Sequence, residues 1–144
     1  MILPAPVEDV WQFIATPLNL NRITPPRLAF EVLSELPETM FNGLIIEYRI
    51  RLPLWGRRRW VTEIKHIRPG RSFVDEQRVG PYAFWYHIHD IEKLNSQKTR
   101  MRDLVYYRLP FGPLGRLVQR FLVEEMLQEI FDFRKKRLEE IFPG

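Results

Sequence analysis

Val7, Val10, Trp11 and Ile14 recur at intervals of three and four residues, the spacing that gathers side chains on one face of a helix. Pro6 suits the first helical position, where its missing N–H would have no partner anyway. Pro17 sets the end of this helix, because the residue before a proline is driven out of helical backbone. A second short helix is expected over 18–23, closed by Thr24-Pro25-Pro26. From Leu28 onward the period changes to two. Segments 28–36, 43–52, 59–67, 72–79, 83–95 and 97–109 read as six strands. The stretches between them are rich in turn formers: Pro37 to Asn42-Gly43, Pro53-Leu54-Trp55-Gly56, Pro69-Gly70, Gly80-Pro81 and Asn95-Ser96. Such short connections join consecutive strands as antiparallel hairpins. After the breaker Pro110-Phe111-Gly112-Pro113, helical periodicity returns and runs from about 114 to 141. The pattern therefore predicts an α+β fold. A curved antiparallel sheet of six strands wraps a long C-terminal helix, because that arrangement buries the apolar face of each.

Hairpin arithmetic then assigns faces. A turn centred on residue 55 pairs positions that sum to 110, and puts Ile46, Tyr48 and Ile50 on the same face as Trp60, Thr62 and Ile64. Charged Glu47, Arg49, Arg51, Arg59, Glu63 and Lys65 take the other face, so the first points inward, with His66 near its end. A turn centred on Ser96 pairs positions that sum to 192. Trp85, His87, His89 and Ile91 then share the less charged face with Met101, Asp103, Val105 and Tyr107. His89 lies opposite Asp103, within reach for a carboxylate to meet an imidazole. Buried polar groups without partners cost about 1–3 kcal/mol each, so these must satisfy one another or face water or a ligand.

The C-terminal helix carries two stripes. Leu114, Leu117, Val118 and Phe121 form one, while Val123, Met126, Leu127, Ile130, Arg134 and Ile141 lie nearly opposite. Either a break near residues 122–123 brings the two into phase, or one stripe faces the sheet and the other a partner chain.

Composition narrows the function. The chain has 144 residues, a single-domain length over 1–144, and no cysteine, which removes thiolate metal sites, thiol nucleophiles and disulfides. No apolar run nears the ~20 residues of a membrane helix, and the first residues do not read as a signal peptide. A cytoplasmic protein without stable membrane insertion is the expectation. Net charge is +4, with basic clusters at 57–59 and 134–137. Neither cluster accompanies a nucleic-acid-binding motif, so no nucleic-acid partner is expected. No phosphate-binding glycine loop or nucleophilic serine motif is present.

A set of motifs carries a family resemblance. Phe73-Val74-Asp75-Glu76-Gln77, Gly80-Pro81-Tyr82, Trp85, His87, His89, Thr99, Met101, Asp103 and Tyr107-Arg108-Leu109-Pro110-Phe111-Gly112 resemble the START-like SRPBCC superfamily, and within it the bacterial polyketide cyclase/dehydrase-like group. Ala5 to Trp11, and Asn19-Leu20 to Pro25-Pro26, match the opening helices of that group. The resemblance implies a helix-grip fold with a deep cavity between sheet and helix. The family's first strand has only Met1 to Pro4 available here, so it is expected to be short or missing. A missing strand would leave a sheet edge open to a second copy and a homodimer.

The expected ligand is therefore a small hydrophobic or amphipathic molecule, held by Tyr48, Trp60, Glu76, Trp85, Met101, Tyr107, Phe121, Met126 and Ile130. The alternative is a cyclase or dehydratase in which His87, His89 and Asp103 carry acid–base catalysis, since a carboxylate that orients an imidazole is a common catalytic pairing. Against both stands a solid core with a structural His–Asp hydrogen bond. His87, His89 and Asp103 also make up the two imidazoles and one carboxylate of a facial metal site, but nothing in the resemblance implies metal. No metal and no cofactor is expected.

Overall fold

The computed structural model describes residues 1–53 and 55–144, and the side chains of these except 114, 118 and 119. The chain opens with a two-residue strand β1 (Ile2–Leu3) and helix α1 (Val7–Ile14). Two 3-10 turns follow at Pro17–Ile23 and Pro26–Leu28. Six more strands come next: β2 (Glu31–Val32), β3 (Leu44–Leu52), β4 (Gly56–Arg68), β5 (Ser72–Val79), β6 (Phe84–Asn95) and β7 (Lys98–Arg108). Helix α2 (Pro113–Ile141) ends the chain's regular structure. The strands form one antiparallel sheet in the order β1-β7-β6-β5-β4-β3-β2. Consecutive strands from β2 to β7 are neighbours, as short connections require.

The family's first strand is therefore present as a stub. Ile2 pairs with Arg100 and Leu3 with Thr99, and the Met1 amino group donates to the Met101 carbonyl. Leu3 is fully buried, which anchors a strand too short to persist on backbone bonds alone.

The expected strand over 28–36 shrinks to Glu31–Val32. Leu28 ends a 3-10 turn, and Ala29 sits in the left-handed region at φ 43°, so the backbone cannot run extended through it. Beyond Val32 the amides of Leu33 and Ser34 both turn onto the Glu47 carbonyl.

The β3–β4 hairpin closes at Leu52 and Gly56, with partners that sum to 108 rather than 110. Gly56 at φ 65° takes the left-handed turn position a side chain would disfavour. A slip of two leaves every side chain on its assigned face, so Tyr48 and Trp60 still point inward, now directly paired. Residue 54 in this turn lies outside the described residues. The β6–β7 register is as expected, with His89 opposite Asp103.

One face assignment fails. His66 is exposed, at φ 54°, inside an irregularity where Lys65 pairs with Val74 but Arg68 with Ser72. An extra residue in β4 breaks the alternation there and turns His66 outward.

Helix α2 runs uninterrupted across residues 122–123. Val123, Met126, Ile130, Arg134 and Leu138 follow three- and four-residue spacing, and the contacts of Val123, Met126 and Leu138 place them in the core. Leu117 and Phe121 on the other stripe are exposed. The break considered for this helix is therefore not seen, and Leu117 and Phe121 do not meet the sheet. Positions 114 and 118 of the other stripe have no described side chains.

Candidate functional site

The site lies on the concave face of the sheet's middle. Asp75 of β5 pairs with His87 of β6, and Phe73 with His89. Across β6, His87 pairs with Val105 and His89 with Asp103 of β7. Alternate residues of a strand share a face, so Asp75, His87, His89 and Asp103 all project to the same side. The imidazole rings of His87 and His89 lie 3.8 Å apart.

Each ring spans both carboxylates. His87 Nε2 is 2.8 Å from Asp103 Oδ1 and its Nδ1 3.1 Å from Asp75 Oδ2. His89 Nε2 is 2.7 Å from Asp75 Oδ2 and its Nδ1 3.0 Å from Asp103 Oδ1. The second Asp75 oxygen accepts from Trp85 Nε1 at 3.3 Å. Arg134 of α2 reaches Asp103 Oδ1 at 3.4 Å, and its guanidinium lies over Phe131. Phe73 stacks on His89, and Phe131 meets the edge of His87. The aromatic walls hold the imidazoles largely away from bulk water, which strengthens each charge pair.

The electrostatics follow from this packing. Burial alone would raise the Asp75 carboxyl, but the His87 charge and the hydrogen bonds from both imidazoles outweigh it and hold it well below the carboxylate range. Asp103 is held low against burial in the same way, by hydrogen bonds from His87 and His89 and by the Arg134 charge. For His87, burial favours the neutral ring, yet the Asp75 charge and the hydrogen bonds with Asp103 and Asp75 raise its proton affinity above the ordinary value. Tyr48 is pushed up by burial and by the Asp75 charge, so it stays a phenol and a donor.

Beside this cluster a cavity of about 160 Å³ runs between the sheet and α2. Tyr48, Trp60, Trp85, His87, His89, Met101, Met126 and Ile130 all line it, as the sequence suggested, and so do Asp75 and Arg134. Three buried donors of its surroundings have no protein partner: Trp60 Nε1, Tyr82 Oη and Arg134 Nε. Trp60, Tyr82 and Trp85 pack edge-on or tilted around one another and wall one end.

Three expected lining residues lie elsewhere. Glu76 points to the outer face, where it pairs with Lys65, because Asp75 holds the inward parity of β5. Phe121 is 68% exposed, since its helix stripe faces away from the sheet. Tyr107 packs edge-on to Tyr82 and tilted against Trp85, and does not line the cavity. Asp103 stands behind the histidines and touches them without lining the cavity itself.

Sequence reasoning missed Asp75 and Arg134. The alternation Phe73, Asp75, Gln77 against Val74, Glu76 held the first, but a bulge near Gly80 hid its phase. The second was visible as a lone charge within the apolar stripe of α2.

A curved antiparallel sheet that clasps a long terminal helix over a hollow is the helix-grip fold. The chain belongs to the family described as polyketide cyclase / dehydrase and lipid transport, which matches residues 3–133. Solved structures agree on the fold. The Zhui aromatase/cyclase from Streptomyces sp. R1128 is 16% identical with a TM-score of 0.73, over 97% of this chain and 88% of its own. A START superfamily protein from Mycobacterium smegmatis is 14% identical with a TM-score of 0.64, over 98% of this chain and 94% of its own. A nucleoside-diphosphate sugar epimerase from Corynebacterium glutamicum is 23% identical with a TM-score of 0.67 over 97% of this chain, which spans only 27% of that protein. No curated protein matches the sequence. No described helix is long and apolar enough to cross a membrane.

Proposed function

We propose that the protein binds a small hydrophobic or amphipathic molecule in the cavity between the sheet and α2. The observation that carries this reading is the hollow itself: apolar walls with buried donors at Trp60, Tyr82 and Arg134 that the protein leaves without acceptors. A buried donor without a partner costs about 1–3 kcal/mol, and a ligand oxygen removes that cost. A cavity near 150 Å³ accepts one benzene-sized ring, so the arrangement fits a ring-sized portion of a ligand with acceptor oxygens. Family membership and the aromatase/cyclase among the structural neighbours are in keeping with this.

The cyclase or dehydratase reading has less in its favour. Every ring nitrogen of His87 and His89 faces a carboxylate oxygen. None is free to exchange a proton with a ligand unless the cluster opens. Arg134 and Tyr48 border the cavity together with Asp75, His87 and His89, whose polar atoms are already engaged with one another.

Titration with an environment-sensitive apolar dye, followed by displacement with small aromatic acids and phenols, tests the proposal. Saturable one-to-one binding is expected, with at least tenfold weaker affinity in Met126→Trp, which fills the hollow. Absence of saturable binding, or an unchanged affinity in a folded Met126→Trp protein, overturns it.

A further inference from the structure

The four contacts among two imidazoles and two carboxylates raise a proton-counting problem. Two neutral imidazoles carry two N–H groups, yet four ring nitrogens face carboxylate oxygens. If both N–H groups point to Asp103, two nitrogen lone pairs are left aimed at Asp75 Oδ2. Lone pair against lone pair is repulsive, and either added protons on the rings or a metal ion between them reconciles the geometry.

We propose that Asp75, His87 and His89 form a binding site for a first-row divalent metal ion such as zinc or iron(II), open on one side to the cavity. Four features of the cluster support the assignment beyond ligand type. One atom from each of the three residues falls within 4.8 Å of the others. Asp75 Oδ2 is 3.1 Å from His87 Nδ1 and 2.7 Å from His89 Nε2, so a small outward shift reaches the edges of about 3.0–3.4 Å that octahedral or tetrahedral ligands have about 2.1 Å from a common ion. The opposite nitrogens both face Asp103 Oδ1. A metal-bound histidine characteristically donates its other N–H to a carboxylate, which fixes ring and tautomer. Finally, Trp85 occupies the other oxygen of Asp75, which leaves Oδ2 as a monodentate ligand.

Two carboxylates against the single Arg134 guanidinium leave one net negative charge in the interior, which favours a cation at the cluster. Imidazole and carboxylate together suit zinc, iron or cobalt and not the oxygen-seeking calcium or magnesium. Three protein ligands leave at least one position for water or a ligand atom, on the side where the cavity lies. The sequence pattern expects no metal because nothing in the resemblance implies one, and it offers Asp103 as the carboxylate where the structure puts Asp75. The proposal stands whether or not the hollow also takes an organic molecule.

The test uses the full-length protein, dialysed against chelator and titrated with Co²⁺ by visible absorption and with Zn²⁺ by calorimetry. The expected result is one equivalent bound, with paramagnetically shifted imidazole resonances from His87 and His89. Asp75→Asn and His89→Gln should weaken binding by at least about 100-fold, and Asp103→Asn by about 10–100-fold with unchanged stoichiometry. His66→Gln, the remaining histidine and exposed, should change nothing. Absence of one-equivalent binding by wild-type protein overturns the proposal. So do shifted resonances confined to His66, or undiminished binding in folded Asp75→Asn. The wild-type spectra decide even if a variant does not fold, and a doubly protonated, metal-free cluster would give no shifted resonances at all.

Discussion

The inner face of the β6–β7 hairpin holds two regions a few residues apart and built in opposite ways. Around Ile91 and Met101, the sheet meets Leu3, Val10 and Leu138 in a filled apolar cluster, with several side chains wholly shielded from water. Around His87, His89 and Asp103, the same two strands face a hollow bordered by charge. Packing holds the first region, and ion pairs and hydrogen bonds hold the second. The difference teaches that α2 fastens to the sheet at one end so that it can stand away from it nearby. Dense packing at Leu138 makes the void beside Ile130 sustainable.

The largest test of that contrast truncates matched positions on α2. Leu138→Ala, at 0% exposure, should lower unfolding free energy by about 4 kcal/mol, while Ile130→Ala beside the hollow should cost about 2 kcal/mol. Denaturant unfolding measures both, and equal costs would erase the distinction between filled and hollow ends.

Somewhat smaller is the cost of removing a carboxylate. Asp103→Ala removes the carboxylate partner of Arg134 and leaves His87 and His89 with Asp75 alone, and should destabilise by about 3 kcal/mol. A neutral result would mean that the polar region adds nothing to holding the fold.

Next comes a graded pH effect, confined to chelated protein. Asp75 and Asp103 have depressed native proton affinity, so their contribution is present above the ordinary carboxylate pKa near 4 and fades as pH falls. His87 has a raised native value, so its contribution is complete below the unfolded value near 6.5 and fades as pH rises. Thermal melts should therefore show greatest stability between about pH 4 and 6.5. Leu138→Ala should keep this profile on a lower baseline, and His87→Phe should lose the alkaline decline. An alkaline decline unchanged in His87→Phe would place its origin outside the cluster.

The smallest effect belongs to the outer stripe of α2. Phe121→Ser should alter stability by no more than about 0.5 kcal/mol, because the ring is 68% exposed. A larger loss in the isolated chain would show that this stripe is covered in solution.

Much of this was legible from local pattern. Alternation gave β5, β6 and β7 nearly to the residue, and the hairpin around Ser96 put His89 opposite Asp103. The first hairpin kept its faces despite a two-residue slip, since parity survives an even shift. Where a strand gains a residue the pattern gives no warning. That is why His66 was turned the wrong way, and why Glu76 was named in place of Asp75.

What the sequence determined by itself is which residues alternate and which recur every third or fourth place. Those periods are properties of the backbone and need no partner. From them came the element order, the inward histidines and the carboxylate facing them. Tertiary structure decided which stripe of α2 meets the sheet, that Asp75 closes on the imidazoles from a neighbouring strand, and that Arg134 reaches Asp103 from a helix about thirty residues further along the chain. Such meetings depend on sheet curvature, on bulges and on how far the helix stands off. No local period encodes those quantities.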